Sequence, residues 1–171
     1  YTNYASVDAT GGVNAPTPGG SCTPSASCAN VGTTVSTAAN FTLAKAVNTS
    51  AVLTGASQTY TLTLTNTGTT TSGTAATVAE QMPTGSVITA ITGVTGMSSS
   101  GVVCKVGGTT ITLPYTVPSA TTLTCTVTLS AGLAQNATAS FTIAANAPSV
   151  AGSYTNYASV DATGGVNAPT P

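Results

Sequence analysis

In the stretch SQTYTLTLTN, residues 57–66, a polar residue alternates with a larger one almost without a break. Tyr60, Leu62 and Leu64 fall on one parity and Thr59, Thr61, Thr63 and Thr65 on the other. A period of two matches a strand, whose successive side chains point to opposite faces, and not a helix. TTLTCTVTL repeats the scheme with Leu123, Cys125, Val127 and Leu129 inward. ATASFTI aligns Ala139, Phe141 and Ile143, SYTNYASVDA aligns Tyr154, Asn156, Ala158 and Val160, and FTLAKAV begins the series with Phe41, Leu43 and Val47. Asn66-Thr67-Gly68, Pro83-Thr84-Gly85 and Gly107-Gly108 punctuate these runs with turn residues, and the Gly pair between VVCKV and TTITL predicts a hairpin. Seven or more short antiparallel strands without helical periodicity predict an all-β, two-sheet sandwich.

Charge is almost absent. The chain holds two lysines, no arginine, three acids and no histidine, against roughly 25% charged residues in an ordinary globular protein. Nucleic-acid binding needs a basic surface that two lysines do not supply. Too few carboxylates are present for a calcium cage, and four separated cysteines without histidine do not suit zinc. Serine and threonine abound, but no histidine can serve them as a general base. The expectation is a protein that is not an enzyme and takes no cofactor. No apolar run reaches the roughly 18 residues needed to span a membrane. Cysteines on a Thr/Ser-rich chain point to an oxidising, extracellular or cell-surface setting.

The eighteen residues YTNYASVDATGGVNAPTP occupy positions 1–18 and recur unchanged at 154–171, a period of 153 residues. Asp8 and Asp161 are therefore copies of one residue. Residues 14–39, rich in Pro, Gly and Ser, have the composition of a connector.

Four segments taken in order resemble the Ig-like conserved repeat domain of prokaryotic surface proteins, a domain of unknown function (number eleven). They are LAKAVNTSAVLTGASQTYTLTLTNTG, VAEQMPTG, CKVGGTTITL followed by LTCTVTLSAG, and GSYTNYASVDATG, together spanning about residues 41–165. The chain departs from the pattern in having Glu80 where Asp is usual and Met82 in place of Leu. The resemblance implies an Ig-like module, one of a tandem array on a secreted or surface protein, without enzymatic activity. It also implies that GSYTNYASV closes the domain, so that the first copy closes the preceding one. The chain then divides into the last strand of the preceding repeat (1–13), a linker (14–39), the sandwich (40–165) and the start of the next linker (166–171). The rival arrangement is donor-strand exchange, in which residues 1–9 complete a neighbouring pilus-like subunit.

The scarce charges have telling positions. Strand parity places Lys45 with Phe41, Leu43 and Val47, Glu80 with Val78 and Met82, and Asn156 with Ala158 and Val160. Buried charge is costly unless compensated. A Lys, an acid and an Asn on first, middle and last strands are also the layout of self-made Lys–Asn isopeptide crosslinks in Gram-positive pilin and adhesin domains. Lys45, Glu80 and Asn156 are accordingly isopeptide candidates. The alternatives are a non-covalent Lys45–Glu80 ion pair with Asn156 beside it, or a Lys45 that faces solvent.

Cys104 and Cys125 point inward on neighbouring segments, which favours a Cys104–Cys125 disulfide together with Cys22–Cys28; the other possibility takes the linker cysteines to a neighbouring domain. Asn40, Asn48 and Asn136 each begin an N-x-[ST] sequon and are glycosylation candidates. Outward threonine rows could present a ligand-binding ladder, but β-propensity alone accounts for them. Together these features predict a structural repeat of an extracellular filament, stalk or sheath. Its partners are identical neighbouring repeats, head-to-tail and laterally, the near-neutral surface favouring lateral association. The alternative is an adhesin-type module that binds a surface or a glycan.

Overall fold

The computed structural model describes residues 2–6, 28–32, 39–119 and 121–161, and every element among them is a strand. The chain divides into two units, Tyr1–Ser36 and Thr37–Pro171. In the first, β1 (Thr2–Ser6) pairs antiparallel with β2 (Cys28–Gly32), Thr2 opposite Gly32 and Ser6 opposite Cys28. A strand thus forms within the stretch whose composition suggests only a connector. Cys22, the other half of the expected Cys22–Cys28 bond, lies outside the described residues.

The second unit is the antiparallel two-sheet sandwich that the alternation predicts. One sheet has the order β3-β4-β11-β6-β9 and the other β12-β5-β10-β7-β8. The first is made of β3 (Phe41–Val47), β4 (Ser57–Asn66), β6 (Val87–Thr95), β9 (Tyr115–Thr116) and β11 (Thr138–Asn146). The second is made of β5 (Ala75–Gln81), β7 (Met97–Val106), β8 (Thr109–Thr110), β10 (Leu123–Leu129) and β12 (Tyr157–Val160). The unit's first and last strands therefore lie at the edges of opposite sheets.

The core follows strand parity. Leu62, Leu64, Phe141 and Ile143 from one sheet and Val78, Leu123, Cys125 and Val127 from the other are all fully buried. Each such side chain contributes about 1.5–3 kcal/mol over its exposed state. Strand β5 is buried on both parities: between β12 and β10, the small Ala79 sits opposite Ser159 on one side and Thr124 on the other. Cys104 and Cys125 are direct cross-strand partners on β7 and β10 and are disulfide-bonded. The predicted hairpin joins β7 to β8 through Gly107 and Gly108, both at positive φ as a two-residue type I′ turn requires.

Two inward positions differ from strand parity. Val47 is 37% and Tyr154 45% exposed. Strand β12 begins only at Tyr157, and Tyr154 instead donates its hydroxyl to the Val150 carbonyl at 2.9 Å. Residues 147–156 run outside the sheets, so among the described residues no strand faces the end of β3.

One polar side chain locks the sandwich at the end of β4. Asn66 is wholly buried and uses all of its side-chain capacity in four bonds. Its Nδ2 donates to the Thr70 and Leu133 carbonyls, both at 2.8 Å, and its Oδ1 accepts from the amides of Gly68 at 3.0 Å and Asn40 at 3.3 Å. Gly68 is required here, because a Cβ would come within 2.7 Å of the Asn40 backbone nitrogen. Asn66→Ala strands these groups, and we expect a loss of about 3 kcal/mol or more by chemical denaturation. Asn66→Asp, which puts a carboxylate against two carbonyl oxygens, costs more; a loss below about 1 kcal/mol for either would show that the bonds carry no weight.

Candidate functional site

At the shared edge of the two sheets the fold gathers three residues from distant parts of the chain. Lys45 comes from β3, where its parity matches that of Phe41 and Leu43. Glu80 comes from β5 in the opposite sheet, with Leu123 and Ala158 as its cross-strand neighbours. Asn156 is the residue immediately before β12. The Lys45 Nζ donates to Glu80 Oε1, forming an ion pair, and to Asn156 Oδ1 at 2.5 Å. The Lys45 side chain is 16% exposed and that of Glu80 not at all. Tyr60 of β4, opposite Val47, sets its ring 5.4 Å from the Lys45 Nζ. All three predicted residues therefore meet, with the lysine between a carboxyl and a carboxamide.

Burial governs the charge state of this cluster. It pushes the Lys45 ammonium below its ordinary pKa, although the Glu80 carboxyl beside it pulls the other way. It also pushes the Glu80 carboxyl above its ordinary value, again against the pull of Lys45. The Tyr60 hydroxyl is likewise raised by burial and stays neutral. Both shifts favour a neutral amine facing a neutral carboxylic acid. The Asn156 carboxamide faces both Glu80 and Tyr60 and opposes the rise of each, yet Glu80 Oε2 and Asn156 Nδ2 lie buried without a partner in hydrogen-bonding geometry. A polar network with orphaned members is a costly arrangement in a core.

A cleft of about 770 Å³ runs along this edge, with Lys45, Gln58, Tyr60, Pro148, Tyr154 and Asn156 among its lining residues. Leu53, 82% exposed, and Val150, 68% exposed, stand on its walls. The alternation places Tyr60 in the core but gives no sign that its ring borders Lys45. That needs the β3–β4 register, which sequence alone leaves open. The cleft arises from the departure of residues 147–156 from the sheet, which strand parity does not foresee.

The remaining candidates are dispersed. Cys104 and Cys125 form their bond at the far side of β5 from β12. Asn40, Asn48 and Asn136 are all exposed, Asn48 accepting the Thr59 amide at 2.8 Å and Asn136 having φ 63°. Among the described residues no helix is long and apolar enough to cross a membrane. No protein-family model matches the chain, and no curated protein matches it in sequence.

Proposed function

We propose that this chain is a structural repeat of an extracellular filament, stalk or sheath, built from head-to-tail Ig-like sandwiches of the prokaryotic surface-protein type. We further propose that each repeat ties itself shut by an isopeptide bond between Lys45 and Asn156. The observation that carries this is the orphaned Asn156 Nδ2 beside a lysine whose ammonium is disfavoured by burial. A non-covalent network leaves that nitrogen buried and unpaired; the crosslink expels it.

The chemistry is an acyl transfer that balances within the site. The neutral Lys45 Nζ attacks Asn156 Cγ while the Glu80 carboxyl, kept protonated by burial, donates to Asn156 Oδ1. Glu80 then takes the proton shed by Nζ and passes it to Nδ2. The Cγ–Nδ2 bond breaks as the carbonyl re-forms and Oδ1 returns its proton to Glu80, ammonia leaves, and Glu80 ends as it began. The cleft against Lys45 and Asn156 offers the leaving group a way to solvent. No metal, cofactor or second substrate takes part.

Such a bond suits a load-bearing repeat. It joins β3 and the residue preceding β12, so tension entering at one end of the sandwich leaves at the other without loading the hydrogen-bonded core. The 153-residue period supports the array, and the Cys104–Cys125 disulfide suits an oxidising compartment. The apolar-walled cleft favours a second reading, a module that binds a surface or a glycan. Electron microscopy of a purified multi-repeat protein separates the two. Uniform fibres formed without ligand support the structural reading; monomeric rods that bind glycan or cell surface, and never assemble, replace it with the binding module.

A further inference from the structure

We infer that, in the array, the Cys28–Gly32 segment of each repeat adds as a sixth strand to the open edge of β12 in the repeat before it. This rests on the tandem-array reading proposed above. Residues 2–6 and 155–159 are the same five residues, TNYAS, and belong to identical eighteen-residue copies. The first copy forms β1 and is paired along its whole length with Cys28–Gly32. Residues 157–159 of the second copy lie in β12, which pairs with β5 on one side and, among the described residues, is the edge of its sheet on the other. One sequence thus engages β5 in one place and Cys28–Gly32 in the other. Within an array each copy has both partners available.

The backbone geometry admits both at once. The Asp161 amide donates to the Thr77 carbonyl at 3.2 Å, so odd-numbered residues of this segment turn their N–H and C=O groups toward β5. By the alternation of an antiparallel ladder, Ala158 and Val160 turn theirs to the open edge. The β1–β2 register, carried onto the second copy, places Asn30 of the following repeat opposite Tyr157, Ala29 opposite Ala158, and Cys28 opposite Ser159. The incoming segment CANVG has no proline and no charge, so every residue can donate to the ladder without burying an ion. The added strand runs antiparallel to β12, as β12 does to β5. An open strand edge is a template for uncontrolled pairing, and this pairing closes it with the correct neighbour. The stretch between repeats is then clamped to the domain it leaves, and the joint gains a fixed direction.

Amide hydrogen exchange on a protein of two full periods tests this, because the first β12 has a downstream segment and the last does not. We expect the Ala158 amide of the first period to exchange at least about ten-fold more slowly than its copy in the second. Ala29→Pro in the second period, which removes the donor opposite Ala158, should return the first-period rate to the terminal value. Equal exchange in the two periods of the parent protein overturns the pairing. The array itself is judged separately by the natural reading frame. A continued run of 153-residue repeats with equal exchange leaves the array standing and removes only this joint. A single copy removes the array, and this inference with it.

Discussion

The protein should be lighter than its sequence by one ammonia, about 17 Da, once the hydrogens lost to disulfides are counted. Asn156→Ala and Glu80→Gln should each restore the full mass. The first removes the carboxamide that is attacked, and the second replaces the acid with a group that cannot carry protons between Nζ and Nδ2. Asn156→Ala is the cleaner variant for stability, because it leaves the Lys45–Glu80 pair in place. A bond from Lys45 to Asn156 closes a loop of more than one hundred residues, worth about 4.7 kcal/mol in the chain-entropy treatment of crosslinks. For a domain of this size that corresponds to a fall in Tm of about 15–20 °C. Full sequence mass in the folded parent, with Asn156→Ala melting within a few degrees of it, would sink the crosslink and leave the ion pair as the whole of the site.

Much of this arrangement was legible from alternation, and the residues show why. Where strands lie between neighbours and over a facing sheet, as with Leu62, Leu64, Cys125 and Phe141, parity alone assigns the buried face. The same rule puts Lys45, Glu80 and Asn156 inward, and in a chain so poor in charge three such residues stand out. Parity fails where an element ends. Val47 and Tyr154 keep the inward parity but are 37% and 45% exposed, because among the described residues β12 begins only at Tyr157. Register is equally illegible: the approach of Tyr60 to Lys45 depends on Val47 lying opposite Tyr60, and a one-residue slip would have turned every side chain over. The β2 strand was hidden for a different reason. Its residues, CANVG, are too few and too mixed to show a period, and only their pairing with a copy of the closing strand reveals them.

Lys45→Met should give the sandwich a pH dependence centred on one carboxyl. Glu80 is wholly buried, and burial already raises its pKa while Lys45 opposes the rise. With the lysine replaced, the opposing pull is gone and the rise is larger. A carboxyl whose pKa is higher folded than unfolded stabilises the fold in its protonated form. That contribution is complete below the ordinary value of 4.5 and is lost as pH climbs from there through the raised folded value. Stability of the variant should therefore fall as pH climbs over the two units above 4.5, with a slope of at most about 1.4 kcal/mol per unit. The neighbouring Tyr60 does not contribute, since burial keeps its hydroxyl neutral throughout this range. Glu80→Gln added to Lys45→Met should flatten the curve, leaving only the slopes due to the other carboxylates. Urea denaturation of the two variants at matched pH values measures the difference directly. A Lys45→Met curve that is flat over those two units, or that keeps its slope when Glu80 is also replaced, would mean that the carboxyl is solvated, and the neutral acid on which the acyl transfer depends would be lost with it.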